Sequence, residues 1–298
     1  VLLTMVLVKY ALLNDLQESS SLSTLLFSIS AFSILCLTAA GYIVNDILDS
    51  KADLINKPDK TFIGNVFSRK TAWWTYGVLN TLGITSCLYV TQIMNISAWY
   101  VVMYAVTGLL LYYYSFCLKK VILFGNIVIA LFCAGIILIT FLLELEGQSK
   151  AHSIWEALSD AFNSIHMFLV ISYYMVFSFI TTLIREIIKD IEDVDGDYQM
   201  KMKTLPIVMG RKRARNIAIA LSIMLLLVLI IVLKTLLEDP LYMNLGLYLL
   251  MTTLLPTLYF TYILWSAEKK IRFHFLSNLM KMIMFFGILS MILFTFDL

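Results

Sequence analysis

Residues 41–60 read GYIVNDILDSKADLINKPDK, and the four oxygen-bearing side chains in the first part of this stretch decide how the chain is read. On a helix turning 100° per residue, Asn45, Asp49 and Asp53 fall within about 80° of one another, with Asp46 about 20° further round. One helical face therefore carries four candidate oxygen ligands. The apolar run leading into them, 21–45, reaches the length of about 20 residues that a bilayer requires. The acids sit where a spanning helix leaves the membrane.

A second acidic stretch, REIIKDIEDVDGDYQMKMKTLPIVMG, occupies 185–210. Glu186, Asp190, Asp193 and Asp197 project within about 60° of each other if the helix at its head continues, whereas Glu192 and Asp195 point elsewhere. Gly196 is the expected break, which makes Asp197 the outermost member. Together with Asp59, these residues make up ten of the chain's 20 acidic side chains. Carboxylates so crowded repel one another, and burying one at a helix end in a membrane costs several kcal/mol unless a cation neutralises it. Hard oxygen donors without His or Cys favour magnesium or calcium over zinc, and magnesium is commonly shared with substrate phosphates. Lys57, Lys60, Lys119, Lys189, Lys201 and Lys203 supply the additional positive charge that a diphosphate needs.

The composition agrees with a membrane setting. Of 298 residues 60% are hydrophobic and 14% charged, and the mean hydropathy is +0.87; soluble domains carry about 25% charged residues. The net charge of +2 says nothing about a polyanionic partner, and only the distribution of charge can; no nucleic acid and no protein partner is expected. Cys36, Cys87, Cys117 and Cys133 lie in apolar runs without metal-type or disulfide-type spacing and read as small buried hydrophobes. Val1 stands directly in an apolar run, from which the chain is expected to be trimmed at its N-terminus, and no processing site follows that would mark a cleaved signal.

Apolar segments at 1–13, 21–45, 72–91, 96–116, 121–143, 162–184, 214–235, 241–265 and 275–296 predict nine transmembrane helices. The connections at 49–71, 117–120, 185–215 and 266–274 hold 18 of the 22 Lys and Arg residues, whereas those at 14–20, 92–95, 144–161 and 236–240 hold only Lys150. Cytoplasmic loops are the ones enriched in Lys and Arg. The alternation places both acidic segments, after helices 2 and 6, on the cytoplasmic face, with the N-terminus inside and the C-terminus outside. Helices 2–4 and 6–8 share a plan that suggests pseudo-repeats. Lys9, in the first span, is costly unless it faces the cavity or snorkels outward. His152, His166 and His274 lie outside both motifs and receive no role.

A metal-bound diphosphate beside a lipid-soluble cavity suggests an allylic diphosphate whose tail lies among the helices. Magnesium and lysines would stabilise the departing diphosphate, and aromatic faces the allylic cation left behind. Tyr112, Tyr113 and Tyr114 are placed for that role or for an interfacial aromatic belt.

These residues resemble the UbiA superfamily of intramembrane prenyltransferases. Asn45, Asp46, Asp49 and Asp53 match its NDxxDxxxD signature, and NKPDK at 56–60 looks like its basic continuation, with Lys57 and Lys60 where arginine is common. Asp193 and Asp197 match the second signature, DxxxD. YSFCLKK at 114–120 with GN at 125–126, and KTLPIVMG at 203–210, complete the pattern. The resemblance implies a single domain over 1–298, with motif 1 at 45–60 and motif 2 at 186–206. It implies an all-α polytopic fold of nine helices around a central cavity, capped by loops after helices 2 and 6. It further implies magnesium-dependent prenyl transfer, with Asp49, Asp193, Lys119 and Tyr114 as the catalytic set and Asn126 among the diphosphate-binding residues. The expected location is the cell membrane, the site opening to the cytoplasmic face. The motifs look most like the ether-lipid branch, in which geranylgeranyl diphosphate alkylates geranylgeranylglyceryl phosphate. An aromatic quinone precursor of the 4-hydroxybenzoate or dihydroxynaphthoate type is the alternative acceptor. An ion-coupled transporter is the alternative of another class, and the acids at helix ends rather than at the bilayer midplane count against it.

Overall fold

The computed structural model describes residues 1–13, 22–56, 62–64, 66–149 and 165–295. Lys57, Lys60, Asp59, Lys150 and His152 lie outside the described residues, as do the side chains of Asp53 and His166. Among the described residues the chain is helical and has no strand.

The order is α1 (Leu2–Leu7, continued by a π turn at Val8–Leu13), α2 (Thr24–Asn56), α3 (Arg69–Met94), α4 (Trp99–Phe116), α5 (Phe124–Ser149) and α6 (Ile165–Glu192). Two short helices follow, α7 (Val194–Gln199) and α8 (Leu205–Met209). Then come α9 (Arg211–Glu238), α10 (Met243–Leu249), a π turn at Leu250–Leu254, α11 (Leu255–Trp265) and α12 (Lys270–Leu289). Among the described residues, helices cover most of each of the nine apolar segments. Among the described residues, six stretches are long and apolar enough to cross a membrane: Thr24–Ser50, Phe124–Leu145, Phe168–Glu192, Arg211–Glu238, Pro240–Trp265 and Lys270–Phe294. Leu2–Leu13 is a shorter apolar helix. α3, with Arg69, Lys70, Asn80 and several threonines, and α4, only 18 residues with six aromatic rings besides Phe116, lie outside that group. These helices make the chain an integral membrane protein.

Local chemistry explains where the elements stop. Ser68 caps α3 by accepting the Thr71 amide at 3.1 Å, and Asn95 ends it in the left-handed conformation that Asn tolerates. The π turn before α11 precedes Pro256, whose ring would clash with a carbonyl one turn back and which has no amide to donate. α2 runs unbroken for 33 residues, about 50 Å at 1.5 Å each, against a hydrocarbon core of about 30 Å. Its motif-bearing turns are thus an extension of a membrane helix. In contrast, α6 stops at Glu192: Asp193 leaves helical geometry (φ −94°, ψ 7°) and α7 restarts at Val194 with Gly196 inside it. The expected break at Gly196 falls three residues earlier.

Lys9 neither snorkels nor lines the cavity. It is 2% exposed, and its Nζ donates to both carboxylate oxygens of Glu144, at 3.0 and 3.1 Å, and to the Leu22 carbonyl at 2.7 Å. One buried ion pair thereby clasps α1 to α5 and to the start of α2. Removing one member strands a buried charge, a loss on the order of 3–5 kcal/mol, whereas an apolar pair of similar volume is close to neutral. Lys9→Met is therefore expected to lower the thermal midpoint of the detergent-purified protein by several degrees, and Lys9→Met with Glu144→Leu to recover most of it. A double variant no more stable than the single one would contradict this account.

Candidate active site

Both acidic motifs end at one mouth of the bundle because α7, immediately after α6, packs against α2. Asp49 is buried and ion-paired to the ammonium of Lys119, which also reaches the Asn45 Oδ1 at 3.5 Å. Lys119 lies in a 3-10 turn, Leu118–Lys120, between α4 and α5. Gly125 permits that turn: a Cβ there would fall 2.9 Å from the Lys119 Cα and 3.2 Å from the Tyr114 ring. Leu123, with φ 57°, takes up the rest of the reversal in a conformation that costs an ordinary residue energy. Asn126, which follows Gly125, donates from Nδ2 to Asp190 Oδ2 at 2.9 Å. The α4–α5 connection thus touches motif 1 through Lys119 and motif 2 through Asn126. A third tie, from the Lys203 amide to the Lys120 carbonyl at 3.1 Å, fastens the segment after motif 2 to the same turn.

Asp197, although beyond the helix break, is 6% exposed and faces the same centre. Burial pushes its carboxyl up to about 6; Lys119 opposes that, and the carboxylates of Asp193 and Asp49 add to it. A cation placed among these oxygens would relieve the repulsion. Among the described residues no three Asp, Glu, His or Cys side chains stand close enough to hold a metal by themselves, and Lys119 and Asn126 already engage Asp49 and Asp190. The donor set suits magnesium completed by phosphate oxygens, for which one or two carboxylates suffice.

From this mouth a cavity of about 770 Å³ runs into the bundle. Asn45, Asp46, Glu186 and Lys189 lie along it with Tyr114, and aliphatic and aromatic side chains such as Leu37, Phe132 and Ile136 line its depth. Tyr114 alone of the three successive tyrosines faces it. Tyr112 stacks in parallel on Phe116, 6.1 Å between centroids, and neighbours Trp73 and Tyr76, while Tyr113 is exposed.

Of the candidate ligands, Asn45, Asp46, Asp49, Glu186, Asp190, Asp193 and Asp197 share this end of the bundle. Lys201 and Lys203 are exposed and do not line the cavity. The two acids read as bystanders have other partners: Asp195 pairs with Arg211 at 2.8 Å and Glu192 with His274 at 2.8 Å. His274, given no role from sequence, is therefore an anchor between α6 and α12. Sequence reasoning also passed over Arg185 and Lys281, both in the cavity wall. The signal for Lys281 was a lysine inside an apolar span, the same signal that marked Lys9. All four cysteines are free, and Cys36 and Cys87 are buried.

A profile described as the UbiA prenyltransferase family matches residues 2–279. The digeranylgeranylglyceryl phosphate synthase of Thermococcus kodakarensis is 29% identical over 203 residues, 68% of this chain and 64% of that protein. The chain thus spans less than two thirds of the length of this relative. A UbiA homologue from Aeropyrum pernix superposes with a TM-score of 0.68 at 15% identity, covering 97% of this chain and 98% of the other. A UbiA homologue from Archaeoglobus fulgidus bound to DMAPP and Mg2+ does so with a TM-score of 0.57 at 14% identity, covering 97% and 93%.

Proposed function

The chain belongs to the UbiA prenyltransferase family, and from that premise we propose that it is a magnesium-dependent membrane enzyme transferring geranylgeranyl from its diphosphate to geranylgeranylglyceryl phosphate, in ether-lipid synthesis. The observation that carries this reading is the continuity of the cavity, from two oxygen-rich motifs at its mouth to an apolar interior. A polar head on a long hydrocarbon tail fits that gradient. The name of the Thermococcus relative supports the acceptor, and the DMAPP and Mg2+ in the Archaeoglobus homologue support the donor class and the metal. The chain forms a single domain over 1–298 with nine crossing helices, N-terminus inside and the acidic mouth toward the cytoplasm of a cell membrane.

Asn45, Asp46, Asp49 and Asp53 on one side, and Glu186, Asp190, Asp193 and Asp197 on the other, would hold the metal. When bound, magnesium supplies charge stabilisation to the leaving diphosphate. Lys119 and Lys189 hold the diphosphate's outer oxygens, with Lys57 and Lys60 from the segment after α2 and with Lys201 and Lys203 closing from the rim. Asn126 keeps Asp190 oriented through its 2.9 Å bond and is assigned to the same anion as a further donor. The apolar wall keeps water from C1 as its bond to the bridging oxygen breaks, the electron pair leaving with the diphosphate. The Tyr114 ring stabilises the allylic cation. The acceptor hydroxyl then forms the new ether bond to C1 and gives up its proton to the released diphosphate.

Purified protein with magnesium and geranylgeranyl diphosphate, given geranylgeranylglyceryl phosphate, 4-hydroxybenzoate or a dihydroxynaphthoate in separate incubations, is expected to yield a mass-shifted product with the first acceptor alone. Product from an aromatic acid and none from the glyceryl phosphate would overturn the assignment.

A further inference from the structure

α6 and α12 pack side by side, and three contacts establish their register. Glu192 meets His274 at 2.8 Å. The Phe177 ring lies against Gly287, where a Cβ would come within 2.4 Å of it. The Tyr174 hydroxyl bonds the Ser290 hydroxyl, just past α12, at 2.8 Å. From the Glu192–His274 pair, 15 and 18 residues back along α6 (192 − 177, 192 − 174) meet 13 and 16 residues forward along α12 and just past it (287 − 274, 290 − 274), so the helices are antiparallel and in step to within about two residues. Arg185 and Lys281 each lie seven residues from the Glu192–His274 pair, and so both sit about 10 Å from it along the bundle. Two cations from different helices reach one depth, and both line the cavity.

Each is set in place by a local polar contact. The Arg185 Nη1 donates to Glu186 Oε1 at 2.6 Å, while its Nε is buried without a hydrogen-bond acceptor among the described residues. The Lys281 Nζ donates to Asn278 Oδ1 at 3.2 Å, one turn nearer the mouth. Among the described residues, the charged side chains lining the cavity are Asp46 and Glu186 against Arg185, Lys189 and Lys281. The wall therefore carries one more positive than negative side chain. Charge at this depth is costly unless it serves a ligand, and α12 carries neither acidic motif.

We propose that Arg185 and Lys281 form the seat of the acceptor's phosphate monoester, with Asn278 as the positioning residue for Lys281. This rests on the reading of the acceptor given above. In a glyceryl phosphate only two carbons separate the phosphate-bearing oxygen from the hydroxyl that must reach C1 of the donor. The acceptor's phosphate consequently lies beside the reacting carbon, inward of the donor's diphosphate. The level of Arg185 and Lys281, next to Glu186 and at the inner end of the acidic constellation, meets that requirement. An arginine fork and a lysine point charge together suit a dianionic phosphate.

The test is equilibrium binding of geranylgeranylglyceryl phosphate and of its dephosphorylated counterpart to the detergent-purified chain, without donor or magnesium. Wild type is expected to prefer the phosphorylated lipid. Lys281→Met is expected to weaken its binding by about 10- to 100-fold, the worth of one charge-assisted hydrogen bond, while binding of the dephosphorylated lipid stays within about twofold. Lys281→Arg should retain most of the preference, and Asn278→Ala should lose part of it. In turnover, the Lys281→Met effect should appear in KM for the acceptor and not in KM for geranylgeranyl diphosphate. Unchanged binding of the phosphorylated lipid in Lys281→Met, or a shift confined to the donor's KM, would overturn the phosphate seat while leaving the enzyme assignment intact. A wild type that binds neither lipid yet alkylates an aromatic acid would instead overturn the acceptor reading on which it rests.

Discussion

Asp49→Ala is expected to reduce prenyl transfer by about 10³-fold, and Asp193→Ala by a similar factor. Stabilising the departing diphosphate contributes several kcal/mol to the transition state, and each 1.36 kcal/mol is a factor of ten in rate. Asp49 is the sharper case, because its carboxylate both belongs to the ligand face of α2 and anchors the ammonium of Lys119. Its removal subtracts a ligand and frees the lysine at once. The fold should survive, since no apolar packing is lost and the Lys119 ammonium left behind is partly exposed at the mouth, unlike the fully buried Lys9. The check is single-turnover product formation by mass spectrometry, beside the elution profile and thermal midpoint of each variant. Two folded variants with near-normal rates would refute the site.

Divalent-cation removal is the second large effect. Dialysis against a chelator is expected to reduce turnover at saturating geranylgeranyl diphosphate to below about 1% of the starting rate, with restoration by magnesium in the millimolar range. Among the described residues no three Asp, Glu, His or Cys side chains stand close enough to hold a metal by themselves, so the ion should bind with the diphosphate and wash out without it. Magnesium affinity should accordingly rise when a non-hydrolysable prenyl diphosphate is present. Full activity after exhaustive chelation would show that the lysines carry the diphosphate unaided.

Much of this arrangement was legible before the fold, because it is local. The spacing of Asn45, Asp46, Asp49 and Asp53 needs only a helix that continues, and α2 does continue to Asn56. The exclusion of Glu192 and Asp195 also follows from helical angles, and the partners His274 and Arg211 agree with it. Less legible was the end of α6. Gly196 is the residue that intrinsic preference would choose as the break, but the chain turns at Asp193 and keeps Gly196 buried within α7, where packing against α2 outweighs propensity. Contacts between distant positions were not legible at all. Lys119 lies 70 residues from Asp49, and the common depth of Arg185 and Lys281 depends on the register of two helices, which no spacing within either one encodes. The count of crossing helices shows the same divide. Alternating basic loops predict nine, whereas among the described residues length and apolarity alone support six: α3 and α4 carry polar and aromatic side chains that lower their apolarity, and Leu2–Leu13 is short.

Lys9 leaves the ribosome 135 residues ahead of the carboxylate that neutralises it. At about 5–20 residues per second, that interval lasts roughly 7–27 s. Throughout it the first helix carries an ammonium that hydrocarbon does not accept, so it waits at the lipid boundary or in the shelter of the insertion machinery. Only when α5 arrives with Glu144 can α1 take its final seat, so a helix made well before α5 is locked into the finished bundle no earlier than α5 itself.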